Sequence, residues 1–501
     1  MASLVLYPDD ERLPRAAGIT LNFYLVTALV LFLAMMALGL GMRSSQAGWL
    51  GLPPDWFYRF LSLHGAGMVG TASLVTTAIM WFFLRKYVQL HLWAFVANYV
   101  LFIIGLWCIV LSVMAGSYAG LWTILYPLPV HSQGMWSREA GAIFMLGYLG
   151  IGMGQLLFYL DAAAGIIARY GNFSRALGLQ WLFGGEIDQA HPKAVVASTG
   201  VLIANTLGLL AGTVALVMSL ANAVYPSIEL DPLLIKNLIY WFGHMYPNAT
   251  IYMGCIAVYE LLPRYTGKPF VMGRPFLWAW LATVLYVVLV FPHHLLMDFA
   301  QPRWLSVMGQ LASWVGGFPV FVVTAYGALV NIHRSGIRWN MPARLLVLSM
   351  FGWMAGIVPA ILDGTIAVNM VMHNTQWVPG HFHFYMLLGV LSMALAFMFH
   401  LVGQRHGQVP PDSGGDRGSL PVYLLGGLVF LFGFLGGGRT SVPRRMAQHI
   451  DAWTLTDRIG SIGAMLVVLA MLYFVVRLVI GLLRPVAQAA GDGDGLADAA
   501  R

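Results

Sequence analysis

Long apolar stretches, separated by short polar segments, run through this chain from end to end. A helix needs about 20 mostly apolar residues to cross the hydrocarbon core of a membrane. Twelve stretches approach or exceed this length, so the pattern predicts an all-α polytopic membrane protein with about twelve transmembrane helices. The predicted spans are 20–42, 60–84, 91–115, 142–168, 194–222, 235–262, 276–298, 306–332, 341–362, 378–402, 420–437 and 460–483.

The composition supports a membrane location for the whole chain. Of 501 residues, 59% are hydrophobic and only 9% are charged, and a soluble domain cannot bury that much apolar side chain. We expect a single membrane domain over residues 1–501, with a polar segment at 1–18 and a disordered tail at 485–501. The two cysteines form no CxxC cluster, which excludes a c-type heme motif and a thiolate-bridged copper site.

Basic residues are distributed unevenly between the two sets of loops. They account for the net charge of +7 and give no reason to expect a nucleic-acid partner. The richer set includes Arg85, Lys86 and Arg169, and the positive-inside rule places it in the cytoplasm. The sequence therefore predicts a multi-pass protein of a bacterial-type inner (plasma) membrane, with both termini and the 1–18 segment cytoplasmic.

Six of the histidines within the predicted spans lie in the outer part of the bilayer, according to the alternating directions of the spans. Ionisable groups in lipid are costly and usually functional, and neutral imidazole is a good ligand for iron and copper. Six such ligands suit two hemes and one copper ion better than a single metal ion. They are His64, His244, His293, His294, His381 and His383.

Two of these histidines lie close together at the start of the tenth span. A helix turns 100° per residue, so His381 and His383 point about 200° apart. One interpretation is a polar loop residue beside an ordinary buried, hydrogen-bonded histidine. The four further intramembrane histidines favour the other interpretation, in which the two rings serve separate metal centres on opposite faces of one helix.

Five motifs together resemble subunit I of the heme–copper oxidase superfamily, over essentially the whole chain. The longest motif is the most specific and looks most like the B-type branch. The resemblance implies two hemes, one low-spin and one high-spin, and one copper ion. The matching stretches are Leu63–Gly65, Trp241–His244, Pro292–His294, His373–His383 and Pro443–Arg445.

Carried over to this sequence, the resemblance divides the histidines among three sites. A low-spin heme with two imidazoles relays electrons, whereas a high-spin heme leaves one face open for a diatomic molecule. Adjacent histidines cannot share one face of an intact helix, so we expect a helix break at Pro292. The implied ligands are His64 and His383 for the low-spin heme, His381 for the high-spin heme, and His244, His293 and His294 for the copper.

Three further residues are implied near these sites. Arg444 and Arg445 would pair with heme propionates, because a guanidinium group fits a carboxylate. Without the resemblance, plain loop solvation would be the simpler interpretation of these arginines. His373, just before the tenth span, is expected to form hydrogen bonds near the metal centres.

The sequence departs from the oxygen-reducing relatives at one chemically important position. In A-type and B-type oxygen reductases, a tyrosine four residues after the first copper-binding histidine supplies an electron and a proton for O–O cleavage. Here that position is Asn248, and Tyr246 lies about 200° from His244 around the helix. The C-type enzymes take this tyrosine from the seventh helix, where the present chain has Val287 with Tyr286 beside it.

A second departure affects the proton channel that the B-type resemblance implies. Val320 and Val323 replace a serine and a threonine on the eighth span, and we expect Thr324 to lie on a different face. Tyr259 stays at the position of the channel tyrosine, with Glu260 beside it. We therefore expect the inner end of the path to remain and its middle to lack proton-carrying side chains.

These departures favour nitric oxide reduction, which needs two electrons and two protons and no tyrosyl radical. The familiar nitric oxide reductases bind non-heme iron with a glutamate at the position of Asn248, whereas three neutral imidazoles suit copper. We interpret the chain as the catalytic subunit of a respiratory enzyme that resembles nitric oxide reductases derived from the B-type branch. The expected catalytic residues are His381, His244, His293, His294 and Asn248, the last hydrogen-bonding bound NO or a hyponitrite-like intermediate.

Two alternatives remain open. One is a terminal oxygen reductase, a cytochrome oxidase with a displaced tyrosine. The other is a diatomic-gas sensor or an inactive assembly subunit, which the retention of all six ligands argues against. Because the chain has no site that accepts electrons from a soluble donor, we expect a second subunit with a copper or heme c domain that docks on the outer face.

Overall fold

The computed structural model describes residues 13–405 and 412–484, and within them the chain folds into twelve long helices. The expected disordered tail at 485–501 and most of the 1–18 segment lie outside the described residues. The helices are α1 (Arg15–Gln46), α2 (Pro54–Leu84), α3 (Leu92–Met114), α4 (Arg138–Tyr170), α5 (Lys193–Val224), α6 (Pro232–Thr266), α7 (Arg274–Leu295), α8 (Arg303–Ile332), α9 (Met341–Asp363), α10 (Trp377–Arg405), α11 (Gly414–Arg439) and α12 (Asp451–Leu483).

Eleven of these helices are long and apolar enough to cross a membrane. The other, α6, has 35 residues and a length of about 52 Å, which also exceeds the membrane core. Its polar side chains, among them Lys236, His244 and Asn248, make it less apolar than the other eleven helices. Each predicted span therefore corresponds to a helix, and the prediction of an all-α polytopic membrane protein is confirmed.

Two helices that together carry three of the six predicted ligands, α2 and α10, lie at the centre of the bundle. The apolar windows of α2 and α10 are 78% and 94% buried, compared with 28% for α8. Helix α10 packs against α2, α6, α9 and α11. Large apolar side chains on the outer helices, such as Trp107 and Leu111 on α3, point away from the bundle, as expected for a lipid-facing surface.

Three helices depart from regular α geometry. The α-helical part of α7 ends at Leu289 and is followed by a 3₁₀ turn at Phe291–Leu295, which confirms the predicted break at Pro292. Helix α8 is divided at Gly317, just before Pro319, although the sequence predicted one continuous span. In α10, a π-helical segment at Phe384–Val390 directly follows His383; such segments are frequent at functional sites.

Candidate metal centre

Helices α6 and α7 bring three histidines together in the interior of the bundle. One nitrogen from each of His244, His293 and His294 lies within 4.8 Å of the others. Nδ1 of His244 and Nε2 of His293 each lie 3.1 Å from Nε2 of His294. Ligands bound at about 2 Å to one ion are separated by about 3.3–3.5 Å, so the three imidazoles could hold a copper ion after a small adjustment.

The 3₁₀ turn in α7 and its contact with α8 orient the adjacent histidines. Nδ1 of His293 lies 2.6 Å from Oγ of Ser313, whose hydroxyl donates to the carbonyl of Gly309 at 2.7 Å. The serine oxygen therefore accepts from His293, which leaves Nε2 free to bind a metal. A Cβ atom at Gly309 would lie 2.7 Å from the backbone nitrogen of His293, so glycine permits this close approach.

Asn248 contacts the first histidine of the cluster. Its Nδ2 atom lies 3.1 Å from Nε2 of His244 and donates to the carbonyl of the same residue at 2.8 Å. The asparagine therefore lies against the ring nitrogen that faces away from the other two histidines. Among the residues that the structure describes, no tyrosine hydroxyl is hydrogen-bonded to the cluster.

One tyrosine packs directly on the cluster and was not among the residues predicted from sequence. Tyr240, one turn before His244 on α6, packs on His294 with ring centroids 5.7 Å apart and an interplanar angle of 26°. By contrast, Tyr246 packs against Phe242 at 5.4 Å. The i, i+4 spacing of Tyr240 and His244 could have indicated this position.

His64 of α2 and His383 of α10 face one another. Their ring centroids are 6.2 Å apart and their planes differ by 23°. Nδ1 of His64 lies 2.7 Å from the carbonyl of Met35, and Nδ1 of His383 lies 2.7 Å from the carbonyl of Pro379. Each Nδ1 must therefore donate, which leaves both Nε2 atoms available as ligands.

The separation of this pair fits a heme iron between the two rings. Two axial imidazoles bound at about 2 Å place their ring centroids about 6 Å apart. Gly39 of α1 makes room for one ring, because a Cβ atom there would lie 2.8 Å from Cε1 of His64. His383 is flanked on its other side by Phe434, with ring centroids 5.5 Å apart.

His381 lines the same cavity on a different face of α10, as its separation from His383 predicted. The cavity has a volume of about 540 Å³ and runs from His64 and His383 to the three-histidine cluster. Its lining is largely apolar, as suits porphyrin rings. Nδ1 of His381 is buried without a hydrogen-bond partner.

Arg444 and Arg445 line one end of this cavity. Their loop is held to the start of α10, since the backbone nitrogen of Arg444 donates to the carbonyl of Asn374 at 2.9 Å. Burial lowers the pKa of Arg444 to about 10, and the charge of Arg445 contributes. Neither guanidinium has an ion-pair partner within the part of the chain that the structure describes. Two such cations beside an apolar cavity fit the carboxylates of a porphyrin.

His373 follows the short helix Ile366–Met372 and also lines the cavity. Burial, together with the nearby charges of Arg444 and Arg445, lowers the pKa of His373 to about 4. The ring is therefore neutral at physiological pH. The structure places His373 in the lining of the cavity that holds the six histidines, and its role there remains a prediction.

The inner end of the predicted proton path differs from the prediction at one residue, Thr324. The hydroxyl of Thr324 lies 2.6 Å from that of Tyr259 and donates to the carbonyl of Val320 at 2.6 Å. Thr324 was expected to lie on a different face from the replaced positions, yet its hydroxyl contacts that of Tyr259, at the position of the channel tyrosine. Glu260 accepts hydrogen bonds from the hydroxyl of Tyr87 at 2.9 and 3.1 Å. Val320 is 1% exposed, and neither valine can carry a proton.

Comparison with known proteins agrees with this arrangement. The chain matches the family described as cytochrome c and quinol oxidase polypeptide I over residues 20–483. It is similar to cytochrome c oxidase subunit 1 of Thermus thermophilus, with 28% identity over 244 residues, 44% of this chain and 43% of that protein. It is also similar to the subunit 1 of Cereibacter sphaeroides, with 24% identity over 286 residues, 55% of this chain and 49% of that protein. Each alignment therefore spans less than half of the relative.

The fold is similar to that in a cryo-EM structure of a heme-copper terminal oxidase dimer. The TM-score is 0.80 at 18% identity, and the likeness covers 95% of this chain and 86% of that chain. At this identity the likeness establishes the fold alone.

Proposed function

This chain belongs to the cytochrome c and quinol oxidase polypeptide I family, and from that premise we propose that it is the catalytic subunit of a respiratory nitric oxide reductase. The reaction is 2 NO + 2 e⁻ + 2 H⁺ → N2O + H2O. Members of the family bind hemes and copper, and when bound these groups supply electron transfer and a binding site for the diatomic substrate.

The histidine geometry supports a specific assignment of these groups. We assign the low-spin heme to His64 and His383, the high-spin heme to His381, and the copper to His244, His293 and His294. Arg444 and Arg445 would hold the propionates. The 6.2 Å separation of the His64 and His383 rings and the 3.1 Å separations in the cluster support these assignments.

The observation that carries the choice of nitric oxide is the contact between Asn248 and Nε2 of His244. An amide in this position supplies neither the electron nor the acidic proton that a phenol would supply. With Nδ1 of His244 bound to copper, Nε2 carries the proton and donates it to an acceptor. For its oxygen to accept from Nε2, the Asn248 side chain would have to rotate and give up its bond to the His244 carbonyl. Its NH2 group could then donate to bound NO in the cavity that Asn248 lines.

The proton demand agrees with this choice. Two protons per turnover are fewer than the four that reduce O2 to water. The Tyr259–Thr324 pair can pass a proton at the inner end of the path, and Val320 and Val323 provide no relay beyond it. A site with a limited proton supply is better suited to the two-proton reaction.

Oxygen reduction is the second candidate, and two observations favour it. The relatives by sequence are named cytochrome c oxidase subunit 1, and the ring of Tyr240 packs on His294. A phenol in this position could replace the missing tyrosine. In either case we propose that electrons come from a second subunit with a copper or heme c domain, in a bacterial-type plasma membrane with both chain termini cytoplasmic.

Turnover of the purified enzyme, loaded with heme and copper and supplied with a chemical reductant, separates the two candidates. We expect rapid NO consumption with N2O formation, and slow O2 uptake. Fast O2 uptake with little N2O would refute the proposal.

The variant Tyr240→Phe, which removes only a hydroxyl group, also separates NO reduction from O2 reduction. If Tyr240 takes part in O2 reduction, this variant loses O2 uptake. We expect NO turnover of Tyr240→Phe within about twofold of wild type, because the ring packing is kept. Tyr118→Phe is the matched control, because the ring of Tyr118 stacks on Phe144 with centroids 4.2 Å apart, outside the cavity lining.

A further inference from the structure

Four of the predicted metal-binding histidines can be compared by the hydrogen-bond acceptor that lies beside the buried Nδ1 atom. Three rings have a neutral oxygen beside Nδ1: the carbonyl of Met35 for His64, the carbonyl of Pro379 for His383, and the hydroxyl of Ser313 for His293. His381 has none, and its buried Nδ1 lacks a hydrogen-bond partner. A buried N–H group without an acceptor costs about 1–3 kcal/mol, so an acceptor is expected close by.

The polar group that faces this nitrogen is a carboxylate. Oδ2 of Asp363, at the end of α9, lies 3.9 Å from Nδ1 of His381, and the two side chains are 13% and 14% exposed. Oδ1 of Asp363 accepts from Nδ2 of Asn369 at 3.3 Å, and the same amide donates to the backbone carbonyl of Asp363 at 2.6 Å. Asn369 thus holds one carboxylate oxygen and leaves the other directed at His381.

The backbone next to Asp363 packs closely against Ser313, which contacts the proposed copper ligand His293. The next residue is Gly364, where a Cβ atom would lie 2.7 Å from Cβ of Ser313. Ser313 is the residue that orients His293. The end of α9 therefore lies between α8, which carries Ser313, and α10, which carries His381.

We propose that Asp363 is a positioning residue for His381 and accepts a hydrogen bond from its Nδ1 when a heme is held at Nε2. The oxygen and nitrogen need to approach by about 1 Å to reach a charge-assisted hydrogen bond of about 2.8 Å. A carboxylate acceptor makes the imidazole a stronger electron donor and fixes its orientation. This strengthens the iron–nitrogen bond and favours the oxidised iron. The inference requires a heme at His381, and it holds for either NO or O2 as substrate.

The test is resonance Raman spectroscopy of the reduced, heme-loaded enzyme, read at the iron–histidine stretching band. We expect Asp363→Asn to shift this band to lower frequency, because a neutral amide is a weaker acceptor. Asp363→Glu keeps the wild-type band, since its longer side chain brings a carboxylate to the same nitrogen. Asp161→Asn is the matched control, because Asp161 also pairs with a histidine, Oδ1 to Nδ1 of His91 at 2.6 Å, outside the cavity lining.

A redox titration of the high-spin heme gives an independent measurement. Asp363→Asn is expected to raise its midpoint potential, and Asp363→Glu to return it to the wild-type value. If Asp363→Asn does not accumulate, Asp363→Ser is measured in the same way. An unchanged band and potential in the Asn or Ser variant, or equal shifts in the Asn and Glu variants, would overturn the proposal. Because these readouts need no substrate, they are unaffected by a failure of the nitric oxide assignment.

Discussion

A change at the hydroxyl of Ser313 tests the proposed copper site directly, because it leaves all three histidines in place. Its oxygen lies 2.6 Å from Nδ1 of His293. Replacing it with alanine removes the acceptor that fixes the ring, so that Nε2 of His293 no longer has a preferred orientation. Ser313→Ala should therefore weaken copper binding while leaving the hemes bound.

The size of the effect follows from the lost hydrogen bond. A neutral hydrogen bond contributes about 0.5–1.5 kcal/mol, and a buried donor left without an acceptor costs about 1–3 kcal/mol. Changes to residues that orient a metal ligand typically reduce metal affinity by about 10–100-fold. We expect a decrease of about tenfold, which equals about 1.4 kcal/mol.

The assay is a competition titration of copper between the enzyme and a chelator, with heme content measured in parallel. Ser349→Ala is the matched control, because the buried Ser349 donates only to the carbonyl of Leu346 in its own helix. Copper affinity in Ser313→Ala equal to that of wild type and Ser349→Ala would refute the role given to this hydrogen bond.

Three further variants test other parts of the site. Asn248→Tyr alone should not produce efficient O2 reduction, because the valines of α8 still limit the proton supply; robust O2 uptake on an oxygen electrode would contradict this. Gly39→Ala places a methyl group 2.8 Å from Cε1 of His64, so we expect an altered low-spin heme spectrum. Gly41→Ala, where the added atom has its nearest neighbour at 4.0 Å, should show the wild-type spectrum. Arg444→Gln removes a charged partner worth about 1.5–3 kcal/mol to a propionate, so heme retention measured by pyridine hemochrome should fall about tenfold or more; unchanged retention would show that no propionate binds there.

The helices could be predicted from sequence because apolar length is a local property. Even α6 was recognised, although its polar side chains make it the least membrane-like of the twelve helices. The break in α7 was predictable for two reasons. Pro292 lacks a backbone N–H group, and adjacent histidines can face the same site only if the helix is interrupted. The division of α8 at Gly317 was missed, although Pro319 offered the same signal.

Contacts between distant segments were not predictable in the same way. Asp363, Ser313 and Tyr240 take their places beside the histidines only when α6, α8, α9 and α10 pack together. The side chains of His400 and His449 are both buried: Nδ1 of His400 lies 2.7 Å from the hydroxyl of Tyr265, and Nδ1 of His449 lies 2.5 Å from Asp457. Both residues lie near helix ends, where the sequence alone suggests contact with solvent, but tertiary packing covers those ends.

Thr324 shows the same limitation within one helix. It is rotated about 100° from Val323, but it lies one turn after Val320, only about 40° away, within the regular segment Phe318–Ile332. The hydroxyl therefore reaches Tyr259, which lies on α6. Which neighbouring helix this face of α8 meets is decided by tertiary packing and could not be predicted from the local pattern.

We propose that a heme–copper site with Asn248 in place of the tyrosine converts NO to N2O. The most direct measurement is the product balance of the purified enzyme given ¹⁵N-labelled NO and a counted supply of electrons under argon. We expect one doubly labelled N2O for every two NO molecules and two electrons consumed. An enzyme that forms no labelled N2O, yet takes four electrons per O2 when air is admitted, would contradict it.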